Sequence, residues 1–334
     1  DMVYIFLCSL TISIILFYFF KKISFKFNLV DKPDELSVHK NIVPTGAGII
    51  FCITFVCLLF FANFLSNYNI LDIIPPKNFI IFLSSLLLLT IISFYDDLKK
   101  IHPVIRLFFQ LTIIFFCCSL FDTTIPNIPL KLLIIFIVYF WVYTINIINF
   151  TDGVDGFLGL NSLNYFLCAS IFYAVNSSSD FGYLVSVISV GIMISYLYFN
   201  KPKATLFMGD TGSIFLGFLI GYIAIKLIFI GRYDIIISLL AYTYLDCTIT
   251  ILKKILTGKM PWARLFDYYF LIPVKNNQPH KKVFLANLIY NIFIFIIVLI
   301  QILFEIKIIC ILSLLCAIIL IYYFKSFEKA QYPK

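Results

Sequence analysis

Charge is what this sequence is short of. Of 334 residues, 13% are Asp, Glu, Lys or Arg and 62% are hydrophobic. A soluble domain of this size needs polar side chains to cover its surface, so the shortage excludes a soluble globular protein and makes the chain a polytopic membrane protein. Metal-binding cysteine patterns are missing too: there is no CxxC and no Cys/His ligand spacing. The 9 cysteines lie almost wholly inside apolar runs and read as small apolar residues, not as disulfide partners. No repeat of fixed period and no separate soluble unit stands out. The first apolar run lacks a basic leader and an A-x-A site, so it reads as a true span. The expectation is one integral membrane domain over residues 1–334.

What the chain has in abundance is long apolar segments. About eleven can be marked, near 2–20, 46–65, 79–95, 104–121, 130–149, 157–176, 183–199, 213–230, 235–253, 284–303 and 308–324. Most approach the ~20 residues a helix needs to cross ~30 Å of hydrocarbon. Backbone groups in lipid must be paired within the segment, so the fold class is all-α, a helical bundle of about eleven spans. Of the 25 Lys and Arg, 20 fall in loops 20–45, 96–106, 150–156, 200–212 and 253–283 and in the tail after 324. The positive-inside rule makes those loops cytoplasmic, with the N-terminus outside and the C-terminus inside.

The acids gather on the same side. Asp96 and Asp97 follow the third span in FYDDLKKIHP, Asp152 and Asp155 follow the fifth in TDGVDG, and Asp210 follows the seventh in LFMGDTGSIFLG. Asp267 sits in the last of these loops, and Asp246 lies inside the ninth span, in YLDCTIT. An acid in a span is costly and is expected to face a polar cavity. Each motif has a bland reading: TDGVDG a tight turn, FYDDLKK a solvated loop, GDTGS a capped helix start. TDGVDG does not match the spacing of an EF-hand calcium loop. Together on one face, the acids need something positive between them. A divalent cation shared with substrate phosphates answers that need, with Mg²⁺ expected and Mn²⁺ as the alternative ion. Gly209 and Gly212 would allow close backbone approach, and the helix start they open, which Thr211 or Ser213 could cap, favours an anion.

These stretches resemble the polyprenyl-phosphate N-acetylhexosamine-1-phosphate transferases. The likeness runs from about residue 31 to about residue 290, through DKPDELSVHKNIVPTGAGI, YDDLKKIHPVIRLFFQ, NIINFTDGVDGFLG, LFMGDTGSIFLG and YLDCTIT. The early HKNIVPTGAG segment and the span count look more like the O-antigen and teichoic acid branch than the peptidoglycan one. The resemblance implies transfer of a sugar-1-phosphate from a UDP-N-acetylhexosamine to undecaprenyl phosphate in the bacterial inner membrane. The products would be a lipid diphosphate sugar and UMP, and the step would initiate cell-envelope polysaccharide.

By the same resemblance Asp210 would be the main Mg²⁺ ligand, with Asp97 beside it. One of Asp96 and Asp97 would take a proton from the lipid phosphate or organise metal and phosphates. Asn149 and Asp152 would line the diphosphate site, with Asn146 one helical turn earlier. Asp155 and Lys100 would bind uracil, Phe207 would stack on it, and Lys40 would meet the lipid phosphate. The family's several histidines in the last cytoplasmic loop are reduced here, in NNQPHKKVF, to His280 followed by Lys281 and Lys282, which could hold the diphosphate as cations. That departure leaves the identity of the sugar open. The expected surroundings are the lipid bilayer, with a homodimer as the candidate assembly and no nucleic acid. A transporter with a cytoplasmic anion site remains the alternative, and a catalytically silent scaffold a third reading.

Overall fold

In the computed structural model, residues 2–33, 41–65, 73–121, 129–176, 180–263 and 268–328 are described. Long helices dominate: α1 (Met2–Ser24), α2 (Gly48–Leu65), α3 (Pro76–Leu98), α4 (Pro103–Cys117), α5 (Leu130–Phe150), α6 (Phe157–Asn176), α7 (Phe181–Asn200), α8 (Gly209–Phe229), α9 (Tyr233–Leu256), α10 (His280–Phe304) and α11 (Cys310–Lys325). Among the described residues, ten apolar helical stretches are long enough to cross a membrane, with α4 extended to Leu120 and α11 begun at Lys307, and Gly48–Ala62 of α2 is a further apolar stretch. These account for the apolar segments of the sequence one by one. A two-residue pairing, β1 (Val30–Asp31) with β2 (Val43–Pro44), joins Val30 to Pro44 and Asp31 to Val43 in antiparallel register.

The bundle is built around α8. It packs on α5, α3 and α2, and 83% of its apolar window is buried, against 22% for α1 at the periphery. In lipid, helices gain little from apolar contact alone and associate where small residues let backbones approach. Gly217 of α8 lies so close to α5 that an added Cβ would sit 2.7 Å from Ile145 Cα, and Gly221 lies under the Trp141 ring, whose Nε1 donates to Phe218 O at 2.9 Å. Helix α1 meets α7 in the same way, with Gly191 against Ser9 and the Ser195 hydroxyl donating to Leu10 O at 2.8 Å. Hydroxyls facing the interior bond back to their own helix, as Thr90 does to Leu86 O and Ser93 to Leu89 O.

The segment after β2 runs along the start of α8. Phe207 N donates to Pro44 O, Ala47 N to Phe207 O and Gly48 N to Met208 O, at 2.8, 3.1 and 2.9 Å. PTGAG and FMGD are thereby one structural unit. Gly48 rests directly on Gly212, where a Cβ would come within 2.0 Å of the Gly212 nitrogen. Gly48→Ala is therefore expected to force α2 off α8. Overpacking of this kind costs about 1–3 kcal/mol, which thermal unfolding of the purified chain in detergent would read as a lowered Tm.

Candidate active site

Three of the acids sit within helix ends, and Asp152 and Asp155 lie in the turn between α5 and α6. Asp96 and Asp97 occupy the last turn of α3, and Asp210 the first turn of α8. Carboxylates at a helix C-terminus face the negative end of the helix dipole, so each needs a specific partner. Asp96, only 2% exposed, accepts from Ile101 N at 2.5 Å and from Arg106 Nη1 at 2.9 Å. The same Arg106 nitrogen reaches Asp210 Oδ2 at 2.6 Å. One guanidinium nitrogen from α4 thus ties α3 to α8.

Asp97 acts differently. Its Oδ1 accepts from Asp210 N at 2.9 Å, and its Oδ2 accepts from Thr211 N at 3.1 Å and Thr211 Oγ1 at 2.5 Å. It caps α8 from another helix, doing what an N-cap side chain usually does from within the chain. Gly209 is held at φ +70, and a Cβ there would lie 2.6 Å from Asp97 Oδ2. A glycine is required by both the backbone angle and the close approach.

Beside this group, Asn149 Oδ1 accepts from Ser213 Oγ at 2.6 Å, and Asn146 Nδ2 donates to Gln110 Oε1 at 2.7 Å. Gln110 lies one turn beyond Arg106 on α4; it is buried, and its Nε2 meets no acceptor among the described residues. Asp152 follows α5, and its carboxylate makes no side-chain hydrogen bond among the described residues. Burial, followed by the charges of Asp210, Asp97 and Asp155, pushes Asp152 up to about 7.

Asp155 is committed to holding loops. Its Oδ2 accepts from Lys203 N at 3.0 Å and Ala204 N at 3.1 Å, and its Oδ1 lies 3.2 Å from His280 Nδ1. Burial raises its pKa, but the His280 contact and the two amides outweigh that and hold Asp155 below the usual carboxylate value. His280 Nδ1 is also 3.2 Å from Asp155 N. A neutral ring can accept from that amide, and a protonated one can pair with the carboxylate. The single histidine of the altered motif is therefore built into the 151–156 turn.

Of the remaining expected residues, Lys100 is exposed and lies within electrostatic reach of Asp96, Asp97 and Asp210. Phe207 is half-buried, and Lys281 is exposed. Lys40, Arg264 and Asp267 lie outside the described residues. Asp246, expected at a polar cavity, is instead fully buried and hydrogen-bonded, with Tyr242 OH on its Oδ2 at 2.7 Å and Tyr269 N on its Oδ1 at 2.9 Å. Sequence reasoning passed over Arg106 and Gln110 as site residues. An Arg and a Gln four residues apart in an otherwise apolar run mark one polar helix stripe, and that signal was available.

Among the described residues no three His, Cys, Asp or Glu side chains form a ready-made metal cage. Mg²⁺ does not require one, since it commonly takes one or two carboxylates plus waters and phosphates. Asp210 and Asp152, whose carboxylate makes no side-chain hydrogen bond among the described residues, suit that role, and a divalent cation would relieve the part of the Asp152 shift that comes from Asp210, Asp97 and Asp155. Asp97 has committed both oxygens to α8.

Fold and site together define a polytopic helical membrane protein whose acidic and amide side chains are gathered at one end of the bundle. Residues 79–228 match the family model described as Glycosyl transferase family 4. That stretch runs from α3 to the end of α8 and contains every residue of the Asp96–Arg106–Asp210 group and its amide neighbours. The chain is also similar to a phospho-N-acetylmuramoyl-pentapeptide-transferase from Rhodopseudomonas palustris (strain BisB18), 26% identical over 92 residues, covering 28% of this chain and 24% of that relative. The similarity thus spans about a quarter of the relative's length. The likeness to glycosyl transferase family 4 thus rests on the stretch that carries the site.

Arg106→Ala would leave Asp96 buried without its cation. Removing one partner of a buried pair costs about 3–5 kcal/mol. The variant is expected to unfold at lower temperature in detergent, and Arg106→Lys to recover part of the loss.

Proposed function

We propose that the chain transfers an N-acetylhexosamine-type sugar-1-phosphate from a UDP-sugar to undecaprenyl phosphate, at the cytoplasmic face of a bacterial inner membrane. An oxygen of the lipid phosphate attacks the sugar-bearing phosphorus, the bond to the bridging diphosphate oxygen breaks, and UMP leaves with the electron pair. The observation that carries this reading is the Asp96–Arg106–Asp210 group beside the Asp152 carboxylate and the Gln110 donor, neither of which meets a hydrogen-bond partner among the described residues. Phosphoryl transfer asks a protein mainly for positioning and charge neutralisation.

Bound Mg²⁺, held by Asp210 and Asp152, would neutralise and orient phosphate oxygens. Arg106, already placed against Asp210, and Lys100 at the mouth supply positive charge to the diphosphate. Gln110 Nε2 and Asn146 offer amide hydrogen bonds to it, and Asn149 keeps the Ser213 turn of α8 in place. Asp155 shapes the uracil pocket with Phe207 by fixing the 200–206 loop, and His280 and Lys281 stand at its edge. A transporter would need its site near the bilayer midplane, whereas this polar group is gathered at the helix ends.

The named relative handles a muramoyl-pentapeptide substrate, so a donor panel must include that type along with simple UDP-N-acetylhexosamines. With undecaprenyl phosphate and Mg²⁺, UMP release from one of these donors is expected, and chelation with EDTA is expected to stop it. A chain that moves substrate across vesicles without UMP would establish the transporter instead. Asp210→Ala should remove turnover while the protein still inserts. Asp155→Ala should raise the KM for the nucleotide sugar by roughly tenfold, the scale of one lost hydrogen-bonded charge. Normal turnover in the first variant, or an unchanged KM in the second, would remove the corresponding role.

A further inference from the structure

Asp246 makes none of the contacts just described, yet it is a fully buried acid in the interior of α9. Its carboxylate accepts four hydrogen bonds. Oδ1 takes Tyr269 N at 2.9 Å and Thr250 Oγ1 at 3.4 Å, and Oδ2 takes Tyr242 OH at 2.7 Å and Phe270 N at 3.2 Å. Tyr242 and Thr250 come from its own helix. The other two donors are consecutive backbone amides of the segment that leads from α9 to α10. Four donors around one carboxylate complete its shell, so burial of the charge is compensated locally.

The segment those amides belong to lies across the 151–156 turn. Phe270 stacks on Phe157 at 4.7 Å and Tyr268 on Phe150 at 5.9 Å, so the two aromatic residues flanking TDGVDG both carry a ring from this segment. Gly153 faces it closely, and a Cβ there would meet Leu271 at 3.0 Å and Phe270 at 3.3 Å. Farther along, Gln278 N closes a turn on Pro273 O, and His280 reaches Asp155. Residues 268–280 are thus held by Asp246 at one end, by ring stacking in the middle and by Asp155 at the other end. Behind Tyr269 a groove of about 190 Å³ opens between α9 and α11, lined in part by Leu245, Ile249, Ile318 and Tyr322.

Taking the sugar-nucleotide reading above as given, we propose that Asp246 is a positioning residue: it latches segment 268–280 onto the 151–156 turn and so sets how tightly the donor is held. The Asp96–Arg106–Asp210 group takes no hydrogen bond from α9. Loss of the latch therefore acts on donor affinity more than on the chemical step.

The test uses the full chain in nanodiscs with two readouts: hydrogen–deuterium exchange of the Tyr269 and Phe270 amides, and steady-state donor KM and kcat. Asp246→Asn keeps the shape but turns one acceptor oxygen into a donor facing an N–H. It is expected to speed exchange at both amides and to raise donor KM by about tenfold each, the scale of an unmet buried hydrogen bond, with kcat changed by less than about threefold. Tyr242→Phe removes one donor and leaves both amides paired. It serves if the first variant does not fold, and is expected to raise exchange and KM together by about threefold.

Unchanged exchange in the folded Asp246→Asn chain overturns the latch. Faster exchange with an unchanged donor KM, in either variant, overturns its link to the donor. A wild-type chain that releases UMP from no donor removes the enzymatic reading instead, and amide exchange then decides the latch alone.

Discussion

The structure depends on one hydrogen-bonded junction, the Asp97 carboxylate on the first N–H groups of α8. A helix start inside a low-dielectric bundle leaves amides that water cannot satisfy. Asp97 meets two of them together with the Thr211 hydroxyl, from a helix 114 residues earlier in the chain. An anion at a helix N-terminus is stabilised by up to ~2 kcal/mol when partly buried. The geometry has two further requirements: a glycine at position 209, and Gly48 against Gly212 so that α2 can close over the same turn. With α8 fixed at that end, Asp210 is presented to Arg106 and Ser213 to Asn149. The most buried helix of the bundle is also the one that orients the site.

Much of this was legible in the sequence, and the reason is physical. Apolar runs of span length permit one backbone solution in lipid, so the helices of the structure follow the marked segments closely, α2 included. The motifs were legible for a related reason: charged residues are rare here, so each stands out. What could not be read was who pairs with whom. Asp96, Asp97, Asp155 and Asp246 look alike as letters. Their partners lie 4 to 125 residues away in the chain, and the distant ones are set by helix packing. Arg106 counted as a topological signal in sequence, and only the closeness of α3, α4 and α8 reveals that it serves two carboxylates at once.

That distinction divides the acids into two groups. Asp97, Asp155 and Asp246 give both oxygens to N–H groups, or to N–H groups and a ring nitrogen, and each fastens a loop or a helix start. Asp246 is the instructive case. An intramembrane acid invites a functional reading through its desolvation cost, yet two amides, a phenol and a hydroxyl offset that cost within one short stretch. Asp152 and Asp210 differ in kind. Asp210 leans on a single guanidinium nitrogen, and Asp152 makes no side-chain hydrogen bond among the described residues.

Charge counting at this end of the bundle explains why the division matters. Asp96, Asp97, Asp152 and Asp210 would bring four negative charges, and Arg106 and Lys100 two positive ones, so four minus two leaves an excess of two negatives if every acid ionises. Lys100 is exposed, and its contribution is screened by water. Burial, and after it the charges of Asp210, Asp97 and Asp155, pushes Asp152 up to about 7. A cation held between Asp152 and Asp210, as proposed above, would offset that excess while leaving the anchors undisturbed, since Asp97 and Asp155 are already satisfied by the backbone. The fixed acids hold the frame, and the two loosely held ones are the carboxylates proposed above for a cation.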